Sequence, residues 1–276
     1  MDILARHGFD ESVLNQNHIA APLLYNTVYY TLFRPPWKQK KRNIAHFCIL
    51  CYTKSHKGDD LLQSLHTRFD GAVFCRDVEL SFFDCKANER AKLASVLHYL
   101  VDTAGRDYEA RGLPRSVLFA HDCAFLVSRL SLRMHRTPVP YDVLTVRTWE
   151  RGSAGAFVLR DYELLDTSGT LCVSASSAWL IVDPKTRRLH RPSAFTLRQI
   201  GTTDYVPDCP PCDKLRAPGE LAPLGSCEVR FSDLDGNGHV YSGQYGAIAV
   251  DCLPAEYRLR DVRDFSINYI KETLPG

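Results

Sequence analysis

Long apolar runs are missing from this chain. The longest, Ile44 to Tyr52, is interrupted by His46, and a bilayer-spanning helix needs about 20 apolar residues in a row. The N-terminus also lacks the charged start, apolar block and small-residue cleavage site of an export signal. An excess of one charge is missing too: 34 Lys and Arg stand against 32 Asp and Glu, so nothing in the balance calls for nucleic acid. These absences predict no membrane span and no nucleic-acid partner. One local absence stands out. From Ser12 to Gly58 there is no Asp or Glu, while Lys38, Lys40, Lys41, Arg42, Lys54 and Lys57 accumulate around the break at Pro35-Pro36. Residues 1–68 are therefore read as a poorly ordered basic extension, with a targeting or docking segment as the alternative.

What is present is ordinary globular material, 276 residues with 45% apolar and 24% charged side chains, enough for two compact domains. The ten cysteines are scattered through apolar stretches and loops, the usage of a reduced, cytoplasmic protein rather than of a disulfide framework. Cys48/Cys51 and Cys209/Cys212 have the spacing of zinc-ligand pairs. They stand 161 positions apart, however, and the second pair encloses two prolines. A closed zinc module keeps its pairs within a few tens of residues, so the pairs read as ordinary thiols and no metal is expected.

From Phe69 the periodicities become clear. Ala72 to Phe83 reads as a strand. Leu93, Val96, Leu97, Leu100, Val101 and Ala104 then recur at helical spacing, with Asn88 a candidate N-cap and Gly105 near the end. Four alternating segments follow, Leu126–Met134, Val143–Trp149, Phe157–Leu164 and Leu171–Val182. A long apolar helix followed by several long strands predicts a sheet wrapped around a central helix. The stretch 201–225, rich in Pro, Cys and Gly, reads as a linker. Beyond it the pattern restarts at an offset of 149: Glu79-Leu80-Ser81-Phe82-Phe83-Asp84 aligns with Glu228-Val229-Arg230-Phe231-Ser232-Asp233, Asn88 with Asn237 and Asp102 with Asp251. Repetition at that length predicts tandem domains.

The densest polar cluster, Arg230-Phe231-Ser232-Asp233-Leu234-Asp235-Gly236-Asn237-Gly238-His239-Val240, falls between a predicted strand and a predicted helix. Asp233, Asp235, Asn237 and Gly238 match positions one, three, five and six of a calcium loop. Position twelve is Gln244, though, which supplies no bidentate carboxylate. Helix capping accounts for single Asp or Asn residues before a helix, but not for Asp235, Asn237 and His239 in one turn. Hydrolysis accounts for all three. Asn237 offers an N–H to a carbonyl oxygen that gains charge, His239 handles a proton near neutral pH, and Asp235 orients them, beside the donor end of a helix. Glu272 is the candidate activator of water.

Asp-x-Asn-x-His-Val after Arg-x-x-Asp resembles the active-site signature of acyl-acyl carrier protein thioesterases. The first half is similar to the same family in the segments Lys92–Asp102, Leu126–Leu130, Thr148-Trp149, Leu159–Asp161 and Ser177–Asp183 with Thr186–Arg188. The resemblance implies an α+β fold of tandem hotdog domains, each an antiparallel sheet wrapped around a central helix. The layout is an acyl-binding domain at 69–200, the linker 201–225 and a catalytic domain at 226–276. It implies Asp235, Asn237 and His239 as catalytic residues, with Glu272 the fourth because Tyr269-Ile270-Lys271-Glu272 fits the family's Tyr-x-x-Glu pattern. It implies hydrolysis of fatty acyl-acyl carrier protein without cofactor. Acyl-coenzyme A hydrolysis on the same fold, or acyl-thioester binding without turnover, are the alternatives.

Two positions depart from the family pattern. Tyr241-Ser242 stands where many members have Asn-Asn, and Thr273 where some have a Cys, which favours direct attack by water. Only 39 residues follow Asn237, so the second domain is expected to be truncated, with an exposed helix face and unpaired strand edges. Arg187, Arg188, Arg191 and Arg198 form a candidate landing surface for an acidic carrier protein, and a homodimer is compatible with the resemblance.

Overall fold

The computed structural model describes residues 66–216, 219 and 223–273, with the backbone of 27–30 and 49–52. The chain divides into two compact units, Met1–Leu62 and Gln63–Gly276. In the first, β1 (Thr27–Tyr30) pairs antiparallel with β2 (Ile49–Tyr52). The rest of the basic extension up to residue 65, and the Cys48 end of the first cysteine pair, lie outside the described residues, whereas Thr67 and Arg68 form part of a strand in the second unit.

The second unit is built on one antiparallel sheet in the order β10-β5-β8-β7-β6-β4-β3. Its strands are β3 (Thr67–Asp70), β4 (Val73–Glu79), β5 (Ala124–Met134), β6 (Val143–Ala154), β7 (Phe157–Asp166), β8 (Leu171–Val182) and β10 (Asp264–Asn268), with the short β9 (Leu189–His190) on β8. The alternation read from the sequence sends Leu130, Leu132, Leu144, Val146, Tyr162, Leu164, Val173 and Ala175 to the inner face. Against it lies α1 (Leu93–Ala110), which presents Leu93, Val96, Leu97, Leu100 and Ala104 on one stripe. Burial of these apolar side chains is the main stabilising term of the unit. The expected wrapped helix is present and runs past Gly105.

The outer face is polar, and the predicted linker lies along it. Ser174 donates to the Asp208 carbonyl at 2.5 Å and Ser131 to the Pro211 carbonyl at 3.1 Å, while Cys209 donates to Ser176 Oγ. The Leu215 N–H reaches Asn268 Oδ1 of β10 at 2.7 Å. Proline-rich chain has few N–H groups to offer, so its carbonyls are satisfied by hydroxyls from the sheet. Cys209 and Cys212 sit there as free thiols, and burial pushes Cys212 up to about 11.

Several local expectations fail. Asn88 does not cap α1: the N-cap is Lys92, and the Asn88 amide donates to the Leu259 carbonyl at 2.8 Å. Residues 228–230 form no strand and lead into a 3-10 turn at Phe231–Asp233. The helix α2 (Arg115–Ala120) was not read from sequence, because its six residues are too few to show a period. The later helices are α3 (Gln244–Asp251) and α4 (Ala255–Arg258). The expectation that the second helix presents an exposed face is corrected in part. α3 packs on α1, where Gly246 lets the backbones approach so closely that a Cβ there would lie 2.7 Å from Leu97 Cδ1. β10 has a partner in β5 and adds to the first copy's sheet.

The repeat itself is reproduced bond for bond. The Asp84 N–H donates to Ser81 O and the Asp233 N–H to Arg230 O, both at 3.0 Å. Lys86 N–H to Arg90 O and Asp235 N–H to His239 O are both 2.8 Å. Bridges Cys85↔Ala91 and Leu234↔Val240 close the two turns. Each turn also needs one left-handed residue, Glu89 at φ 58° and Gly238 at φ 78°, a conformation that glycine adopts without cost and glutamate does not. In the first copy this turn is a fastener. Lys86 and Asn88 donate to the carbonyls of Leu259 and Arg260 just after α4, and Lys86 and Arg90 pair with Asp261.

Candidate active site

The second copy of the turn carries Asp235, Asn237 and His239. Asp235 Oδ1 accepts from the backbone N–H of Asn237 at 2.8 Å and of His239 at 3.4 Å, and its Oδ2 accepts from Asn237 Nδ2 at 3.3 Å. A carboxylate that receives donors from residues two and four ahead fixes a turn in which no helix forms. Asp235 therefore holds the turn that carries Asn237 and His239. The Asn237 amide keeps a second N–H for another acceptor, and its Oδ1 accepts from Arg115 Nη2 at 2.9 Å.

Glu272 comes to this turn from beyond β10. The Val240 N–H donates to Thr273 O at 3.0 Å and the Tyr245 hydroxyl to Thr273 Oγ1 at 2.9 Å, which fixes the segment beside the turn. Glu272 Oε2 then lies 3.5 Å from His239 Nε2, and its Oε1 accepts from Arg187 Nη1 at 2.7 Å. All four sequence-predicted residues therefore meet at one place. Tyr269 supports the wall, its hydroxyl donating to Ser242 O at 3.0 Å; burial raises that phenol well above its ordinary value, so it stays a neutral donor.

These residues line one side of a cavity of about 950 Å³. The opposite walls come from α1, α2, β5, β7 and β8 and are mostly apolar, including Val101, Ala104, Leu118, Phe125, Val158 and Trp179. Polar groups meet at one rim and an apolar space opens behind them, the layout of a site that holds a long apolar substrate by one reactive end.

One chemical expectation changes. The helix end is not at the turn: α3 starts at Gln244 after Gly243, and Tyr241, Ser242 and Gly243 intervene, so the Asn237 amide is the polarising group at hand. The calcium reading also fails on geometry. Asp233 accepts from the Arg230 N–H and from Gln244 Nε2, and Asp235 from its own turn, so the carboxylates do not converge. Among the described residues no three His, Cys, Asp or Glu side chains gather as a metal site.

Arg115 was missed altogether, and Arg187 was assigned to a docking surface. Contacts across 122 and 85 positions leave no local signal. Arg198 was also misplaced: its guanidinium is clamped on Glu150 at 2.6 and 2.9 Å. Of the four arginines, Arg187, Arg188 and Arg191 are exposed.

Residues 71–194 match the model of the acyl-ACP thioesterase N-terminal domain. Over that segment the chain resembles the acyl-ACP thioesterase family. A palmitoyl-acyl carrier protein thioesterase, chloroplastic, of Cuphea hookeriana is 24% identical over 219 residues, 74% of this chain and 52% of its own length. Two solved structures are similar. An acyl-ACP thioesterase of Bacteroides thetaiotaomicron is 25% identical with a TM-score of 0.60, covering 74% of this chain and 84% of that one. A 12:0-ACP thioesterase of Umbellularia californica is 18% identical with a TM-score of 0.59, over 75% and 85%. The fold is the hotdog fold of these thioesterases. The chain spans about half the length of the curated relatives it matches.

Proposed function

We propose that this chain hydrolyses the thioester of a fatty acyl chain carried on acyl carrier protein. The observation that carries the reading is the contact of His239 with Glu272 beside the Asn237 amide, at the rim of an apolar cavity. Glu272 and His239 share the base and acid duties. One takes a proton from water as its oxygen attacks the thioester carbon, and one returns a proton to the departing thiol sulfur. The free N–H of Asn237 donates to the carbonyl oxygen as it gains charge. The products are a fatty acid and the carrier thiol, and no metal or cofactor takes part. Residues 69–200 hold the acyl chain, 201–225 link, and 226–276 supply the chemistry.

Thr273 places no thiol beside Glu272, which supports attack by water over an acyl-cysteine intermediate. Exposed Arg188 and Arg191 are the surface offered to an acidic carrier. A cytoplasmic setting rests on the thiol-rich composition, whereas the curated relatives carry "chloroplastic" in their names. Fractionation of cells expressing the full-length protein decides between the two compartments.

The test is fatty acid release from a panel of acyl-acyl carrier proteins and acyl-coenzyme A esters. His239→Ala and Glu272→Gln should each lower kcat by about 10²- to 10⁴-fold, the worth of a positioned acid or base. Faster release from coenzyme A esters would reassign the carrier. Binding without release, unchanged by Glu272→Gln, would replace hydrolysis with simple binding.

A further inference from the structure

Every residue assigned to the chemistry lies in the second copy, yet two of them are held by arginines from the first. Arg187 stands on the turn between β8 and β9 and meets Glu272 Oε1 at 2.7 Å, while His239 approaches the other carboxylate oxygen. Arg115 opens α2 and meets Asn237 Oδ1 at 2.9 Å, so the Asn237 Nδ2 hydrogens face away from it, towards Asp235 and the cavity. The Arg187–Glu272 pair is a surface ion pair, which contributes little to stability, and the Arg115–Asn237 contact is one exposed hydrogen bond to a neutral amide, so neither is needed to hold the fold.

Both arginines stand on prepared supports. Arg187 has φ 60°, a left-handed conformation that costs a long side chain about 1 kcal/mol or more and persists only where surrounding bonds impose it. Those bonds are present. Asp183 Oδ1 accepts from the N–H groups of Lys185 and Thr186, its Oδ2 accepts from the Thr186 hydroxyl at 2.6 Å, and the Arg187 N–H donates to Asp183 O at 2.9 Å. The same turn is tied to the C-terminal end of α2. Lys185 Nζ pairs with Asp122 at 2.8 Å, and His190 Nε2 contacts the Asp122 carbonyl at 3.1 Å. Arg115, at the other end of α2, and Arg187 thus belong to one braced platform.

We infer that Arg187 and Arg115 are positioning residues for the reaction, Arg187 turning the Glu272 carboxylate towards His239 and Arg115 fixing the Asn237 amide with its N–H groups towards the substrate. The inference rests on the hydrolase reading for its kinetic consequence. The geometric part stands without it. Neither arginine reaches the reacting atoms, so their loss acts on turnover rather than on substrate binding.

The experiment compares Arg187→Gln, Arg187→Lys and Arg115→Gln with the parent protein, reading kcat and KM on acyl-acyl carrier protein and the His239 ring signals by NMR. Arg187→Gln and Arg115→Gln should lower kcat by about 10- to 100-fold, the cost of misplacing a catalytic group by about an ångström, with KM within twofold. Arg187→Lys should recover most of the loss, because an ammonium still reaches one carboxylate oxygen. Arg187→Gln should move the His239 ring signals, whereas Arg188→Gln, one residue along the same turn, should leave them in place. A rise in KM at constant kcat would make Arg187 a docking residue and overturn the inference, as would unmoved His239 signals. A parent protein that binds but never hydrolyses removes the hydrolase reading alone, and the NMR comparison still decides the positioning.

Discussion

Replacing Arg160 with Met should strongly destabilise the second unit. Arg160 is only 2% exposed. Its Nη2 lies 2.8 Å from Asp107 Oδ2 and 3.4 Å from Glu150 Oε1, and its Nη1 donates to Thr148 Oγ1 at 3.1 Å. Removing one partner of a buried ion pair costs about 3–5 kcal/mol, because the other charge is left behind in a poor solvent for it. The lower end applies here. Asp107 keeps Arg111 at 2.7 Å, and Glu150 keeps Arg198, the Tyr108 hydroxyl at 2.6 Å and the Gly201 N–H at 2.8 Å. With a urea m-value of about 2 kcal/mol/M, a loss of ~3 kcal/mol moves the midpoint down by about 1.5 M. The expected fall in Tm is about 6–12 °C for a unit of this size.

The pH dependence supplies a second arm. Burial pushes the Glu150 carboxyl up, but Arg160, then Arg198 and Tyr108, more than offset it and hold it below the usual carboxylate range. A depressed folded value means stability that is fully present above the unfolded value of about 4.3 and lost as pH falls through the folded one. The deficit of Arg160→Met should therefore be largest near neutral pH and shrink on acidification. Urea titrations at several pH values measure it. A deficit below about 1 kcal/mol at pH 7, or one that grows towards acid pH, would refute the reasoning.

Four further outcomes follow from the packing and the surface. Gly246→Ala should destabilise by about 1–3 kcal/mol, since the added methyl meets Leu97 Cδ1 at 2.7 Å and Leu93 Cγ at 3.2 Å; thermal unfolding reads it directly. Gly105, mid-helix in α1 and beside the cavity, has no atom within 4 Å of an added Cβ. Gly105→Ala should therefore stabilise by about 0.5–1 kcal/mol, while Gly105→Phe should fold and shift the released acids to shorter chains in a product profile. Arg188→Glu should raise KM for acyl-acyl carrier protein and leave the KM for acyl-coenzyme A unchanged, a split that steady-state kinetics on the two carriers resolves.

The central helix, four of the long strands and the four polar residues of the site were legible because each rests on a local period or a short motif. Leu93 to Ala104 repeat every three or four residues, and the strands alternate every second. The offset of 149 was legible because both turns keep their spacing. What was not legible depends on distant pairing. Arg115 and Arg187 are charged surface residues by composition, and only the folded path of α2 and the β8–β9 turn turns them towards Asn237 and Glu272. Arg198 belonged by sequence to an exposed basic group, and Glu150, 48 positions earlier, takes it into a half-buried clamp. The 228–230 segment alternates like a strand yet has no ladder partner among the described residues, and alternation without a neighbour forms no sheet.

The two turns, alike in backbone and unlike in side chains, bear on how such a protein changes over generations. The one at Lys86–Arg90 keeps the shape with none of the reactive groups, even at the expense of a left-handed Glu89. The loop's architecture is thus inherited separately from its chemistry. After a duplication, one copy of such a turn is free to drift into fastening duty while the other keeps its polar side chains. By the same token, a lineage that lost His239 would retain a folded apolar cradle, whose core does not include that residue.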